Sequence, residues 1–118
     1  MNAIELVRWQ WNGYARYHRH RVNLLLHIVA VPLFLAGTLL LAAALARASV
    51  AEGAAALVCI VVSVVMQGRG HKMEPIPPEP FSGPANAVAR LVLEQWINFP
   101  RFVLSGAWLR ALRESRQA

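Results

Sequence analysis

Two long apolar runs separated by a short polar turn dominate the pattern of this chain. The first, Val22 to Ala46, carries no formal charge at neutral pH. As a helix it would rise roughly 37 Å, enough for a hydrocarbon core of about 30 Å. The second, Gly53 to Gly68, reaches only about 24 Å as a helix and needs Val50–Glu52 as an added turn, or a thinned bilayer, to span. On length alone it also fits a buried helix of a soluble protein. Ala48 to Glu52 makes the turn between the runs, so they are expected as antiparallel neighbours. Pro32 is expected to kink the first span, while Gly37 and Thr38 admit close helix contact.

The flanks are amphipathic. Asn2 and Glu5 have the spacing of a capping box, and Ile4, Val7, Trp11, Tyr14 and His18 recur at helical steps on one face. An unbroken helix would put His18 and His27 on opposite sides, so a turn is expected over 19–22, with Asn23 as the N-cap of the first span. Gln67-Gly68-Arg69-Gly70-His71 is expected to end the second span through its glycines. Glu74 to Pro80 reads as extended, and Asn86–Asn98 and Phe102–Arg113 as two short helices split by Pro100. The fold class is therefore all-α: an integral membrane helical hairpin with flanking amphipathic interfacial helices. Its single membrane domain divides into an amphipathic helix (1–19), a spanning hairpin (23–46 and 50–67), a His/Pro-rich loop (68–85) and interfacial helices (86–115).

Composition sharpens this picture. Only 15% of residues are charged and 57% are hydrophobic, well off the balance of a soluble domain. Lysines and arginines number 12 against six glutamates. Arg8, Arg16, Arg19 and Arg21 precede the first run; Arg69 and Lys72 follow the second, with Arg101, Arg110, Arg113 and Arg116 beyond; the turn has only Arg47, offset by Glu52. This asymmetry points to both termini in the cytoplasm. Because the cations flank lipid-length runs, anionic headgroups explain them better than nucleic acid. Cys59 is alone in an apolar run, which excludes a disulfide framework and a thiolate metal site. The N-terminus lacks the early apolar core of a secretory signal.

The candidate chemistry lies in the histidines. His18 precedes the first run, His27 lies about one turn inside it and His71 follows the second, so a hairpin brings all three to one membrane face. Imidazoles with an optional carboxylate, such as Glu74, suit non-haem iron, zinc, copper or manganese. His20, Asn23 and His27 share a helical face, which makes His20 a competing ligand. Asn23, Gln67, Glu74, Tyr14 and Tyr17 are candidates for orienting the imidazoles or the substrate. No Ser-His-acid set and no phosphate-cradling glycine loop is suggested. A bis-histidine haem lacks a histidine in the second run. The competing reading is a non-enzymatic membrane module that anchors or assembles a partner, its histidines being structural.

At these residues the chain resembles a known family. Tyr14-x-x-Tyr17-His18, Asn23, His27 and Pro32, followed by Gln67-x-x-Gly70-His71 and Glu74, look like the membrane-associated 2-hydroxy fatty acid dioxygenases, which include a fungal enzyme of phytosphingosine degradation and many small bacterial relatives. The resemblance covers roughly residues 14 to 80. It implies an iron(II)-dependent, oxygen-consuming α-oxidation that shortens a 2-hydroxy fatty acid by one carbon, with iron on His18, His27 and His71 and zinc as the alternative metal. It also implies a multi-pass protein of the bacterial inner membrane whose partners are a lipid-like 2-hydroxy carboxylic acid, O2 and membrane lipids, with oligomerisation left open. On this reading one of Arg19, Arg21, Arg69 and Lys72 could pair with the substrate carboxylate, although a plain topology charge is the commoner fate of each. The chain departs from the family pattern at Ala30, where glycine is usual, and at Glu74, which stands one residue closer to its histidine; it also has one hairpin where the fungal form has more apolar sequence.

Overall fold

The computed structural model describes residues 1–115, so Arg116 lies outside the described residues. The described chain is helical throughout, with no strand. Helix α1 (Ala3–Gly13) starts where the Asn2 side chain accepts the Glu5 N–H at 2.8 Å, and passes into a 3₁₀ turn over Tyr14–Tyr17. Helices α2 (Arg21–Ala46) and α3 (Val50–Lys72) form the long axis of a particle of 49 × 30 × 25 Å. They are joined by a turn in which Ala48 takes a positive φ of 49° and Ser49 caps α3 by accepting the Glu52 N–H at 3.2 Å. Their register is antiparallel. Gly37 lies against Ala56 and Ile60, Ser63 donates to the carbonyl of Ala30, and Gly70 lies against Asn23.

Both helices are long and apolar enough to cross a membrane. Only 28% of the most apolar window of α2 and 17% of that of α3 are buried. A core helix of a soluble protein would hide most of its apolar surface, whereas Leu39, Leu57, Val58 and Val61 stand open on the outside of this hairpin. Helix α3 runs 23 residues, about 34 Å at the standard rise, and includes Val50–Glu52 as its first turn.

The remaining chain folds over the end of the hairpin that holds the start of α2 and the finish of α3. After the extended proline segment come α4 (Pro84–Leu93), a π-helical turn over Glu94–Asn98, α5 (Phe99–Leu104) and α6 (Ala107–Glu114). Tyr14, Leu24, Val31, Phe99 and Phe102 make the core of this cap, and the Trp108 indole N–H donates to the Leu24 carbonyl at 3.0 Å.

Three local expectations change. The break before α2 falls at His18–His20, so the N-cap is His20, whose Nδ1 accepts the Val22 N–H at 3.2 Å, and Asn23 is a fully buried residue inside the helix. Gly68 and Gly70 do not stop α3, because each keeps helical geometry and Gly70 serves close packing instead. Pro100 does not split the last helices: the chain stays helical from the π turn into α5, and the break comes at Gly106, which has φ 85°.

Candidate metal centre

The break at His18–His20 decides the geometry of the site. A helix running straight through would point His18 away from His27, whereas His18 at φ −132° and ψ 69° turns its ring back over the start of α2. The buried carboxylate of Glu74, just past the end of α3, holds that bend. It accepts the backbone N–H groups of Arg19 and His20 at 2.9–3.1 Å and the Asn23 amide at 2.6 Å. These donors lie at the N-terminus of α2, where a negative charge is favoured by the exposed N–H groups and the helix dipole.

His18, His27 and His71 thereby converge. Their ring centroids are 4.8 to 4.9 Å apart, with the rings 78° to 89° to one another. Glu94 completes the group: its Oε2 lies 3.5 Å from His18 Nε2 and 4.0 Å from His27 Nε2. One ligand atom from each of the four residues falls within 4.8 Å of all the others. Ligands sharing an ion at about 2.1 Å stand roughly 3 to 3.5 Å apart, so the four need only a small contraction.

The hydrogen-bond chemistry fits an ion at the centre. His18 Nδ1 lies 2.7 Å from the Tyr14 carbonyl oxygen, and His27 Nδ1 lies 3.0 Å from that of Asn23. A carbonyl can only accept, so each Nδ1 carries the hydrogen and each Nε2 is left with a bare lone pair. Both Nε2 atoms, and Nδ1 of His71, are buried without a partner. Left empty-handed, such atoms cost about 1 to 3 kcal/mol each. One added proton satisfies one nitrogen, whereas one cation satisfies the set and neutralises Glu94. The four residues could hold a metal ion.

Tyr14 binds the cluster together. Its ring stacks on His18 at 3.9 Å with 9° between planes, its carbonyl fixes the His18 tautomer, and its hydroxyl donates to Glu94 Oε2 at 2.9 Å. Burial, and then the Glu94 charge, push the Tyr14 phenol well above its ordinary pKa, so it remains a donor.

Glu94 faces inward because of the π turn. The Phe99 N–H reaches back five residues to the Glu94 carbonyl, and this wider turn sends Glu94, Gln95 and Asn98 toward the cap interior. Gln95 and Gln67 exchange a reciprocal pair of amide bonds at 2.8 Å, and Gln67 also donates to Ser63 Oγ at 3.0 Å. Asn98 donates to Gln10 Oε1 at 2.9 Å. The turn is thus bolted to α3 and α1 on either side of Glu94. Gln67→Leu should destabilise the protein by about 2 kcal/mol by stranding the Gln95 amide, and Gln67→Leu with Gln95→Leu should recover much of the loss. Thermal unfolding of the two variants checks this.

The other candidates lie elsewhere. His20 is committed to capping α2, and Glu74 to the bend; neither belongs to the four-residue group. Asn23 orients His27 through its backbone carbonyl. Tyr17 is on the wall of a cavity of about 690 Å³, within the range of small-molecule sites, that also touches His18, His71 and Glu94. Of the four cations expected to meet a carboxylate, Lys72 lines this cavity, while Arg21 donates to the Leu112 carbonyl at 3.3 Å. Glu94 is the residue that reading the sequence missed. Its signal was a single acid among Leu91, Val92, Leu93 and Ile97, masked by Arg90 one turn earlier, which looks like a surface ion-pair partner. Arg90 instead donates to the carbonyls of Glu79 and Pro80.

A family model described as 2-hydroxy-palmitic acid dioxygenase Mpo1-like matches residues 4–99. The chain belongs to this Mpo1-like family. The matched range includes the three histidines and Glu94 and stops within the cap, before most of α5 and α6. No curated protein and no solved structure matches the chain.

Proposed function

We propose that this protein is an iron(II)-dependent dioxygenase that shortens a 2-hydroxy fatty acid by one carbon at a membrane surface. The observation that carries the reading is the set of buried, unpartnered imidazole nitrogens facing one carboxylate at the wall of an amphiphilic cavity. His18, His27, His71 and Glu94 would hold the metal, and the family's printed description supplies the substrate class. When bound, iron(II) supplies the electrons and Lewis acidity that dioxygen chemistry on a 2-hydroxy acid requires. The overall reaction balances as hydroxy acid plus O2 giving the shorter acid, carbon dioxide and water.

The chain's own residues perform the rest. The Tyr14 and Asn23 carbonyls hold the imidazoles in the tautomer that offers Nε2, and the Tyr14 hydroxyl fixes the carboxylate. Lys72 is placed at the cavity wall next to His71, where its ammonium would meet the substrate carboxylate. The core of the cap, with Phe99 against His27 and Phe102 against His18, keeps water from the far side of the cluster. The hairpin would cross the bacterial inner membrane, with the basic flanks and the metal centre at the cytoplasmic face.

Anaerobic iron(II) loading followed by oxygen uptake tests the reading. The protein should take up near-stoichiometric iron and consume oxygen with 2-hydroxy palmitate but not with palmitate. Lys72→Gln should raise KM about tenfold or more with a smaller change in kcat, as expected for loss of a charge-assisted contact made in both ground and transition states. Iron-loaded protein that consumes no oxygen with any 2-hydroxy acid would overturn the assigned reaction.

A further inference from the structure

The cavity beside the metal cluster has a second end. Along α3, Val64, Gly68 and Lys72 follow one another at steps of four, so they make a single line on the helix wall of the cavity. Lys72 and His71 lie at the charged end. Going the other way, the line continues past Val64 to Val61 and Leu57, which stand 58% and 54% exposed on the outside of the hairpin. Cavity and lipid-facing surface are therefore continuous along α3.

Gly68 lies on this line between Lys72 and Val64. One to two turns before it, Val64, Val65, Val61 and Val62 carry branched side chains. Gly68 carries none, and a Cβ built there would meet nothing within 4 Å. It is neither a packing glycine nor a turn glycine, because its φ is helical and no neighbour approaches. What its missing side chain leaves is an opening in the valine surface at the level of the cavity.

We infer that the acyl tail of the substrate leaves the cavity sideways across Gly68 and lies along the α3 face of Val64 and Val61, so that Gly68 is a specificity-determining position and the tail stays among the lipid chains. The inference rests on the proposed reaction for the chemical class of the head group. It requires no tunnel long enough to bury a whole chain: the polar end and the first methylenes occupy the cavity, and the remainder replaces lipid against α3. A leucine at position 68 would fill the opening. Since nothing packs there and leucine is the better helix former, the variant is expected to fold normally.

The test uses full-length, iron(II)-loaded protein in lipid nanodiscs without oxygen, so that the substrate is bound but not turned over. A 2-hydroxy acid of palmitate length with a diazirine at its methyl end is photolysed, and the labelled residues are read by mass spectrometry. Labelling should concentrate on α3 between Leu57 and Val64 and be displaced by 2-hydroxy palmitate. In Gly68→Leu it should fall severalfold, because the leucine side chain occupies the path by which the tail leaves the cavity. Gly68→Ala should lie between the two. Displaceable labelling that falls on α1, α4 or the proline segment, or that survives Gly68→Leu undiminished, would overturn the route while leaving the substrate class standing. Labelling that 2-hydroxy palmitate does not displace would overturn both.

Discussion

Glu94→Gln is expected to leave the protein folded and to weaken metal binding by at least about a hundredfold, more than loss of an outer hydrogen-bond partner costs. The amide is nearly isosteric and can still accept the Tyr14 hydroxyl, so the π turn and its bolts through Gln95 and Asn98 stay in place. What disappears is the negative charge that the cluster uses to offset a cation. Glu74→Gln should do the opposite. Its carboxylate touches two backbone N–H groups and one amide N–H, all donors, and an amide NH2 group cannot face donors. Loss of these charge-assisted bonds should cost about 3 kcal/mol of stability. Metal affinity should then fall only as far as the His18 bend loosens. Metal titration by calorimetry beside thermal unfolding separates the two glutamates, and equal effects on metal affinity at unchanged stability would reject Glu94 as the ligand carboxylate.

This contrast marks the boundary of what could be read from the chain as text. The helical hairpin was legible, because two apolar runs around a short turn leave few other folds. The meeting of His27 and His71 follows from that hairpin, since each lies near an end of a run, and His18 joins them through the break expected between residues 18 and 23. Glu94 was not legible. Its position depends on the cap folding back across the hairpin end and on one π turn, an extra residue in a helix whose apolar period gives no hint of it. The i to i+4 pairing with Arg90 offered a bland local explanation, and only tertiary structure shows Arg90 spent on the proline segment between the rings of Trp9 and Phe81. Glu74, expected to orient the imidazoles or the substrate, is the converse case. A carboxylate three residues after a histidine has the spacing of a ligand, but the N–H groups freed by the break at His18–His20 claim it first.

Glycines on α3 carry the second large effect. Gly70 is buried against α2, and a Cβ built on it would stand 2.1 Å from Asn23 Oδ1 and 3.3 Å from Asn23 Cα. Asn23 cannot yield, because its own amide is held by Glu74 and its carbonyl orients His27. Gly70→Ala must therefore push the two helices apart at the level of the metal centre. The expected cost is about 1 to 3 kcal/mol of stability, as for overpacked cores, together with loss of metal binding, since His27 and His71 ride on the separated helices. Gly68→Ala, two residues away on the open side, should keep both stability and metal. Unfolding and metal content measured on the two alanine variants make the comparison internal to one helix. If Gly70→Ala keeps wild-type metal stoichiometry and stability, the close approach of α2 and α3 is not what gathers the imidazoles.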